Sequence, residues 1–284
     1  MKKIAAIILN YNSYKDTEKC VNYLKKQSYD SLNIVVVDNG SKNNSEITSL
    51  NEMAQKQKIK LICTKQNRGF SAGNNIGLRY ADSIAADWAM IINPDVELRD
   101  EQYIEKVVSY FDKWNEAVVV GTNIVLPGGN TQNPMYGKTL NDEIFWLKPK
   151  IRKIIGLKPN KIIDNSKTGY CDQLTGCCFF INMDFIRKIG FLDENVFLYC
   201  EERILASQVS NLGYKELYIA DITANHEHYV EKKKDMNVAA KMRIMINSRI
   251  YWIKKYSDYS FFGKKAAVIS KITERLLWRI IWWK

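Results

Sequence analysis

The chain opens with apolar runs that alternate with helical spacing. "KIAAIILN" (3–10) predicts a strand, residues 14–28 a helix, and "LNIVVVDNGS" (32–41) a second strand ending in a turn. A helix over 45–58, a strand in "IKLICT" (59–64), a helix over 71–83 and a strand in "DWAMIIN" (87–93) continue the pattern. Strands that are apolar on both faces and separated by helices predict an α/β fold with a mostly parallel central sheet flanked by helices. Residues 128–170 carry no strong period, which predicts a lid or acceptor loop containing the basic run "KPKIRKIIGLKPNK". Beyond it come a strand and a short helix within 171–194, a helix over 202–214 stopped by Gly213, and a strand in "KELYIAD" (215–221). After His226 the pattern becomes helical and basic. The expected organisation is therefore a catalytic domain over 1–228 and a helical, basic and aromatic extension over 229–284.

Composition narrows the class. Of 284 residues, 46% are hydrophobic and 26% charged, as in a folded globular protein. Six cysteines without a CxxC pair, and only two histidines, disfavour structural zinc. The start has no secretory pattern and no run is long enough to cross a bilayer, so a cytoplasmic protein is expected. A net charge of +11 calls for a polyanionic partner. No nucleic-acid motif is present, and the charge lies late in the chain, which favours an anionic membrane surface over nucleic acid. The first strand-to-helix turn lacks GxGxxG, which counts against a dinucleotide-dependent dehydrogenase.

Several short stretches carry candidate chemistry, each with a plainer reading. Asn93-Pro94-Asp95 ends a strand: Asp95 is either a turn acid or a metal-holding carboxylate at the sheet edge, where open α/β folds bind ligands. Asp38 and Asn39 end the second strand at that edge, as a turn or as ligand contacts. In "NRGFSAGNN", Gly69 and Gly73 suit either close helix packing or a diphosphate at a helix N-terminus, with Arg68 as a cation. Glu201 and Glu202 start a helix, as dipole-favoured acids or as a general base. His226 is either structural or a metal ligand.

Taken in order, "ILNYNS", "VVDNGS", "NRGFSAGNN", "INPDVEL", "GCCFFI", "GFLDENVFLYCEE" and "ITANHEHY" resemble the inverting family 2 glycosyltransferases of the GT-A fold, specifically the bacterial rhamnosyltransferase-like branch. The resemblance spans residues 4–228. It implies a Rossmann-like nucleotide-sugar-binding fold and transfer from a dTDP-rhamnose or UDP-sugar donor. The acceptor would be a glycan or polyprenyl-diphosphate-linked glycan of cell-surface polysaccharide synthesis. It further implies that Asp95 holds Mn2+ or Mg2+, with His226 approaching the metal or diphosphate. Asp38, Asn10, Asn12, Asn39 and the Asn67–Gly69 loop, with Arg68, would form the nucleotide pocket. Gly176 and Cys177 would lie near the donor sugar, Glu202 would be the catalytic base and Glu201 its neighbour. The chain departs from the family pattern at Asn93, where the first Asp of the metal motif is expected, at Glu202 in place of Asp, and at Ile204 where relatives carry Asp. Those departures motivate a second reading: a catalytically weak binding or scaffold protein of the same fold.

In the final segment, Ile269, Ile272, Leu276, Leu277 and Ile280 predict one apolar helical stripe, with Lys264, Lys271, Arg275 and Arg279 opposite. Trp278 and Trp282 fall off the stripe and suit a lipid interface. This helix is expected either to lie on the inner face of the membrane or to pack against the catalytic domain or a second subunit in a homodimer.

Overall fold

The computed structural model describes residues 1–148, 164–227 and 237–281, with positions 151, 154 and 156 between the first two stretches. Most of the basic run in the central loop, together with His228 and Trp282, lies outside the described residues. Strands β1 (Ile4–Asn10), β2 (Leu32–Asp38), β3 (Lys60–Cys63) and β4 (Trp88–Ile92) alternate with helices α1 (Tyr14–Lys25), α2 (Asn44–Gln57) and α3 (Phe70–Ser83). These elements follow the predicted ones closely. Short strand β5 (Val96–Glu97), helix α4 (Tyr103–Phe111) and strand β6 (Ala117–Val125) come next. Helix α5 (Leu140–Ile144) breaks the predicted loop; Thr139 and Asp142 form a reciprocal cap at its start. Then come β7 (Gly169–Cys171), β8 (Cys178–Asn182), α6 (Met183–Ile189), α7 (Glu201–Asn211) and β9 (Lys215–His226). Helices α8 (Val238–Lys255) and α9 (Phe261–Ile281) complete the described chain.

The sheet order is β3-β2-β1-β4-β8-β6-β9-β5, with β7 also paired to β9. The predicted parallel arrangement holds across β3-β2-β1-β4. Past β4 the sheet is mixed: β8 runs antiparallel to β4 and to β6, whereas β6 and β9 are parallel. Because β8 is antiparallel, its first residues meet the carboxyl end of β4, with Ile92 opposite Cys178. Two apolar layers cover the sheet faces, one containing α1 and α4 and the other α3, α6 and part of α7. In α1, Thr17, Cys20, Val21 and Leu24 are buried at the spacing of one helical face.

Helix α9 keeps the two opposite sides that the periodicity predicts, and the fold selects which of them faces inward. Lys271, on the side opposite the apolar stripe, is fully buried. Ile269, Ile272, Leu276 and Leu277 of the stripe are exposed. The physical reason is a cluster of charges under the helix. Lys271 Nζ lies 2.7 Å from Glu274 and 3.5 Å from the fully buried Glu143 of α5. Glu143 is also bonded at 2.8 Å by both Arg203 of α7 and Arg249 of α8. Burial of Glu143 without cations would be prohibitive, so α9 turns its lysine inward and docks by ion pairing. A small apolar cluster of Val196, Ile204, Trp252, Ile253 and Ala267 joins these helices to the rest of the fold.

Candidate functional site

Asn10 and Asp38 close β1 and β2 opposite one another in register. Both are fully buried. Asn10 Nδ2 donates to Asp38 Oδ1 at 2.8 Å and to Glu46 Oε1 at 3.1 Å, and its Oδ1 accepts from Thr17 at 2.8 Å. Asp38 also accepts from the Ser41 backbone at 3.1 Å and from the Ser41 hydroxyl. In this structure the Asp38 oxygens turn inward and fix the β2 turn. Asn12, at φ +52°, donates its N–H to Ser41 Oγ at 2.9 Å, while its Oδ1 accepts from Lys42.

Asn39 ties the next loop to the same edge. Its Nδ2 donates to Asn67 Oδ1 at 3.1 Å and to the Gly69 carbonyl at 3.0 Å, and its Oδ1 accepts from Arg68 N–H. Gly69 has φ +89°, and a Cβ there would lie 2.2 Å from the Phe197 carbonyl oxygen. Only glycine fits so close a crossing. That carbonyl accepts the Phe70 N–H at 2.9 Å, so the first turn of α3 spends a donor on the 191–200 segment instead of on a diphosphate. Arg68 likewise turns to Glu194, at 2.9 Å. In this structure, then, both the start of α3 and Arg68 are engaged by the 191–200 segment. Gly73 resolves as a packing residue, since a Cβ would meet Leu9 at 2.6 Å.

Asp95 and His226 do come together. β5 pairs with β9 so that Val96 stands opposite His226, and His226 Nε2 lies 3.2 Å from Asp95 Oδ1. The other ring nitrogen, Nδ1, lies 2.7 Å from Gln132 Oε1, in the loop after β6. A carboxylate oxygen and an imidazole nitrogen therefore stand side by side at this sheet edge, and an oxygen–imidazole donor set suits Mn2+. Among the described residues there is no group of three or more His, Cys, Asp or Glu that could hold a metal. Asn93, at the place of the missing acid, anchors the turn by donating its N–H to the Cys177 carbonyl at 2.7 Å. Cys177 is buried, and its Sγ lies 3.7 Å from Gln132 Oε1.

The adjoining Gly176 connects this pair to the acids of α7. Its N–H donates to Glu202 Oε1 at 3.3 Å, and a Cβ there would sit 3.1 Å from the same oxygen. Burial, then the charge of Glu202, pushes the Glu201 carboxyl up to about 8. Burial also raises Glu202, against the pull of the Glu202 and Gly176 N–H groups and Arg203. On the same hollow Glu216 of β9 is buried, and desolvation lifts its carboxyl far above the usual range even though Leu174 N–H donates to it at 2.9 Å. The two α7 acids differ in outlook. Both line a small apolar hollow with Leu174, Phe179 and Glu216. Glu202 also borders a second, open hollow of about 440 Å³ with Arg203, Arg249, Tyr199, Trp146 and Met242.

Gln132, Glu216 and Glu143 were missed by sequence reasoning. Gln132 sits in an aperiodic loop with no signal. Glu216, a charge inside the apolar strand "KELYIAD", was the one visible anomaly.

Comparisons with known proteins give the fold and the family. The low-salt glycan biosynthesis hexosyltransferase of Haloferax volcanii is 27% identical over 70% of this chain, and the chain spans 59% of its length. The dTDP-rhamnosyl transferase RfbF of Shigella flexneri is 25% identical over 78% of the chain and 68% of its own length. The mannosyltransferase PcManGT of Pyrobaculum calidifontis, solved with GDP-Man and Mn2+, superposes with a TM-score of 0.61 at 14% identity, covering 99% of this chain and 75% of that one. S. aureus TarS in complex with UDP gives a TM-score of 0.58 at 13% identity, covering 97% of this chain and 72% of that one. These likenesses show the GT-A fold. The sequence profile described as Glycosyl transferase family 2 matches residues 5–190, and the chain belongs to that family.

Proposed function

We propose that the protein transfers a sugar from a nucleotide-sugar donor to a hydroxyl of a glycan or polyprenyl-diphosphate-linked glycan, with inversion, in surface polysaccharide synthesis. A dTDP-rhamnose or UDP-sugar donor suits the relatives, among them a dTDP-rhamnosyl transferase and a hexosyltransferase. The observation that carries the reading is the Gly176–Cys177 bridge, which joins the Glu202 carboxylate on one side to the Asp95–His226 pair on the other. Asn10, Asn12, Asn39 and the loop from Asn67 to Gly69 then shape the nucleotide end.

In this mechanism the ionised Glu202 carboxylate accepts the proton of an acceptor hydroxyl entering from the open hollow. The hydroxyl oxygen forms a bond to the anomeric carbon while the bond to the diphosphate oxygen breaks on the opposite face, and the electron pair leaves with the diphosphate. A single displacement of this kind inverts the centre and needs no glycosyl-enzyme. One proton on the Glu201–Glu202 pair, both raised by desolvation, keeps its total charge low until the hydroxyl is bound. Mn2+ or Mg2+ held by Asp95 and His226 would supply charge compensation for the leaving diphosphate.

The test is a transfer assay over a panel of nucleotide sugars with added Mn2+, followed by a Mn2+ titration of Asp95→Asn. One donor is expected to give transfer, and Asp95→Asn should raise the Mn2+ needed for half-maximal rate by at least about tenfold. An unchanged titration would remove Asp95 from the metal site. Neither transfer nor donor hydrolysis across the panel would favour the binding or scaffold reading.

A further inference from the structure

Helix α9 holds itself in place with charges and leaves its apolar side in water. Phe261 is 66% exposed, Phe262 79%, Ile269 64% and Leu276 50%, and Ile272 continues the same side. At 100° per residue these positions fall on one half of the helix, opposite Ala267, Lys271 and Glu274, which are buried. Contiguous apolar surface of this kind marks an interaction site. The inward side is already satisfied by the Glu143 cluster, so turning the helix over would strand buried charges and is not an available remedy.

Charge identifies the partner. From residue 237 to the end, the chain has eleven Lys and Arg against two acids, Asp258 and Glu274, a net nine of its eleven positive charges. The one carboxylate on α9, Glu274, is buried. Lys254, Lys264 and Lys265 instead share a surface groove with Phe261, Val268 and Ile269, and Lys265 Nζ lies 4.3 Å from the Phe261 ring centre. A second copy of this face would set lysines against lysines. A surface of anionic headgroups over an apolar layer complements both features at once. None of the helices, among the described residues, is long and apolar enough to cross a membrane.

We propose that the exposed side of α9 docks on an anionic lipid surface, with Phe261, Phe262, Ile269 and Leu276 entering the acyl boundary and Lys254 and Lys265 engaging headgroups. The inference stands independently of glycosyl transfer. The hollow beside Glu202 is lined by Arg203, Arg249 and Glu274, and the two arginines also bind the Glu143 under this helix, so the helix pair that docks is tied to that hollow.

Flotation of the full chain with phosphatidylcholine vesicles, with and without phosphatidylglycerol, tests this without any donor or acceptor. Binding to the anionic vesicles is expected to exceed binding to neutral ones by about tenfold or more, and to fall with salt. Ile269→Ser with Leu276→Ser, and separately Lys254→Glu with Lys265→Glu, should each weaken it by about tenfold or more with thermal melting unchanged, since all four side chains are exposed. Equal flotation on both vesicle types overturns the proposal, as does wild-type binding by the two variants. A dimer in sedimentation equilibrium that Ile269→Ser with Leu276→Ser dissociates also overturns it, assigning the face to a second copy.

Discussion

Two groups of carboxylates lie on either side of the start of α7, and the fold treats them in opposite ways. The half-buried Glu201 and Glu202 and the buried Glu216 sit among apolar side chains with backbone N–H groups as their main partners, and all three are raised by desolvation. Glu143 is buried as well, but Arg249, Arg203 and Lys271 outweigh that burial and hold it below the usual carboxylate range. Arg203 follows Glu202 directly in sequence and yet points into the other group. Burial alone therefore does not assign a carboxylate its state. Whether cations share the site decides between a proton carrier and a structural anion.

The same isosteric substitution should separate the two groups, and the largest effect is on chemistry. Glu202→Gln is expected to lower turnover by about 10²–10⁴-fold in a donor-plus-acceptor assay, the usual range for a lost general base. Glu201→Gln, at a residue that lines the small apolar hollow and not the open one, should stay within about tenfold of wild type. The reverse ranking would move the base to Glu201.

Next comes stability. Glu143→Gln leaves Arg203, Arg249 and Lys271 facing a neutral amide, and should cost about 3–5 kcal/mol in thermal or denaturant unfolding. Glu216→Gln, in which an amide carbonyl can still accept from Leu174 N–H, should change stability by less than about 1 kcal/mol. Similar losses from both would erase the distinction between the groups.

The smallest effect is the pH dependence, and its sign differs between them. The folded value for Glu201, about 8, lies above the ordinary 4.5. Its contribution is therefore fully present below the ordinary value and lost as pH rises toward 8. For Glu143, lowered on folding, the contribution is present above the ordinary carboxylate value and lost as pH falls through the folded one. Melting temperature measured against pH should accordingly lose part of its decline between about pH 4.5 and 8 in Glu201→Gln and part of its acid decline in Glu143→Gln. Parallel curves for the two variants and wild type would contradict both assignments.

The sequence by itself determined the parallel half of the fold, because β1, β2 and β4 are buried on both faces and unbroken apolar runs leave no other arrangement for them. It also brought the candidate residues to one edge: a strand end marked by Asn, Asp or Pro is a local signal, and the family motifs kept their order. Only tertiary structure decided how those residues are used. Asp38 turned inward because Ser41 and Asn10 were within reach, and Arg68 was drawn to a glutamate 126 positions away. Asp95 and His226, far apart in sequence, met through the β5–β9 pairing. Helix α9 shows the limit most sharply. Its apolar stripe was legible, but which side faces inward was fixed by Glu143, more than a hundred residues away, whose burial drew in the side that carries Lys271.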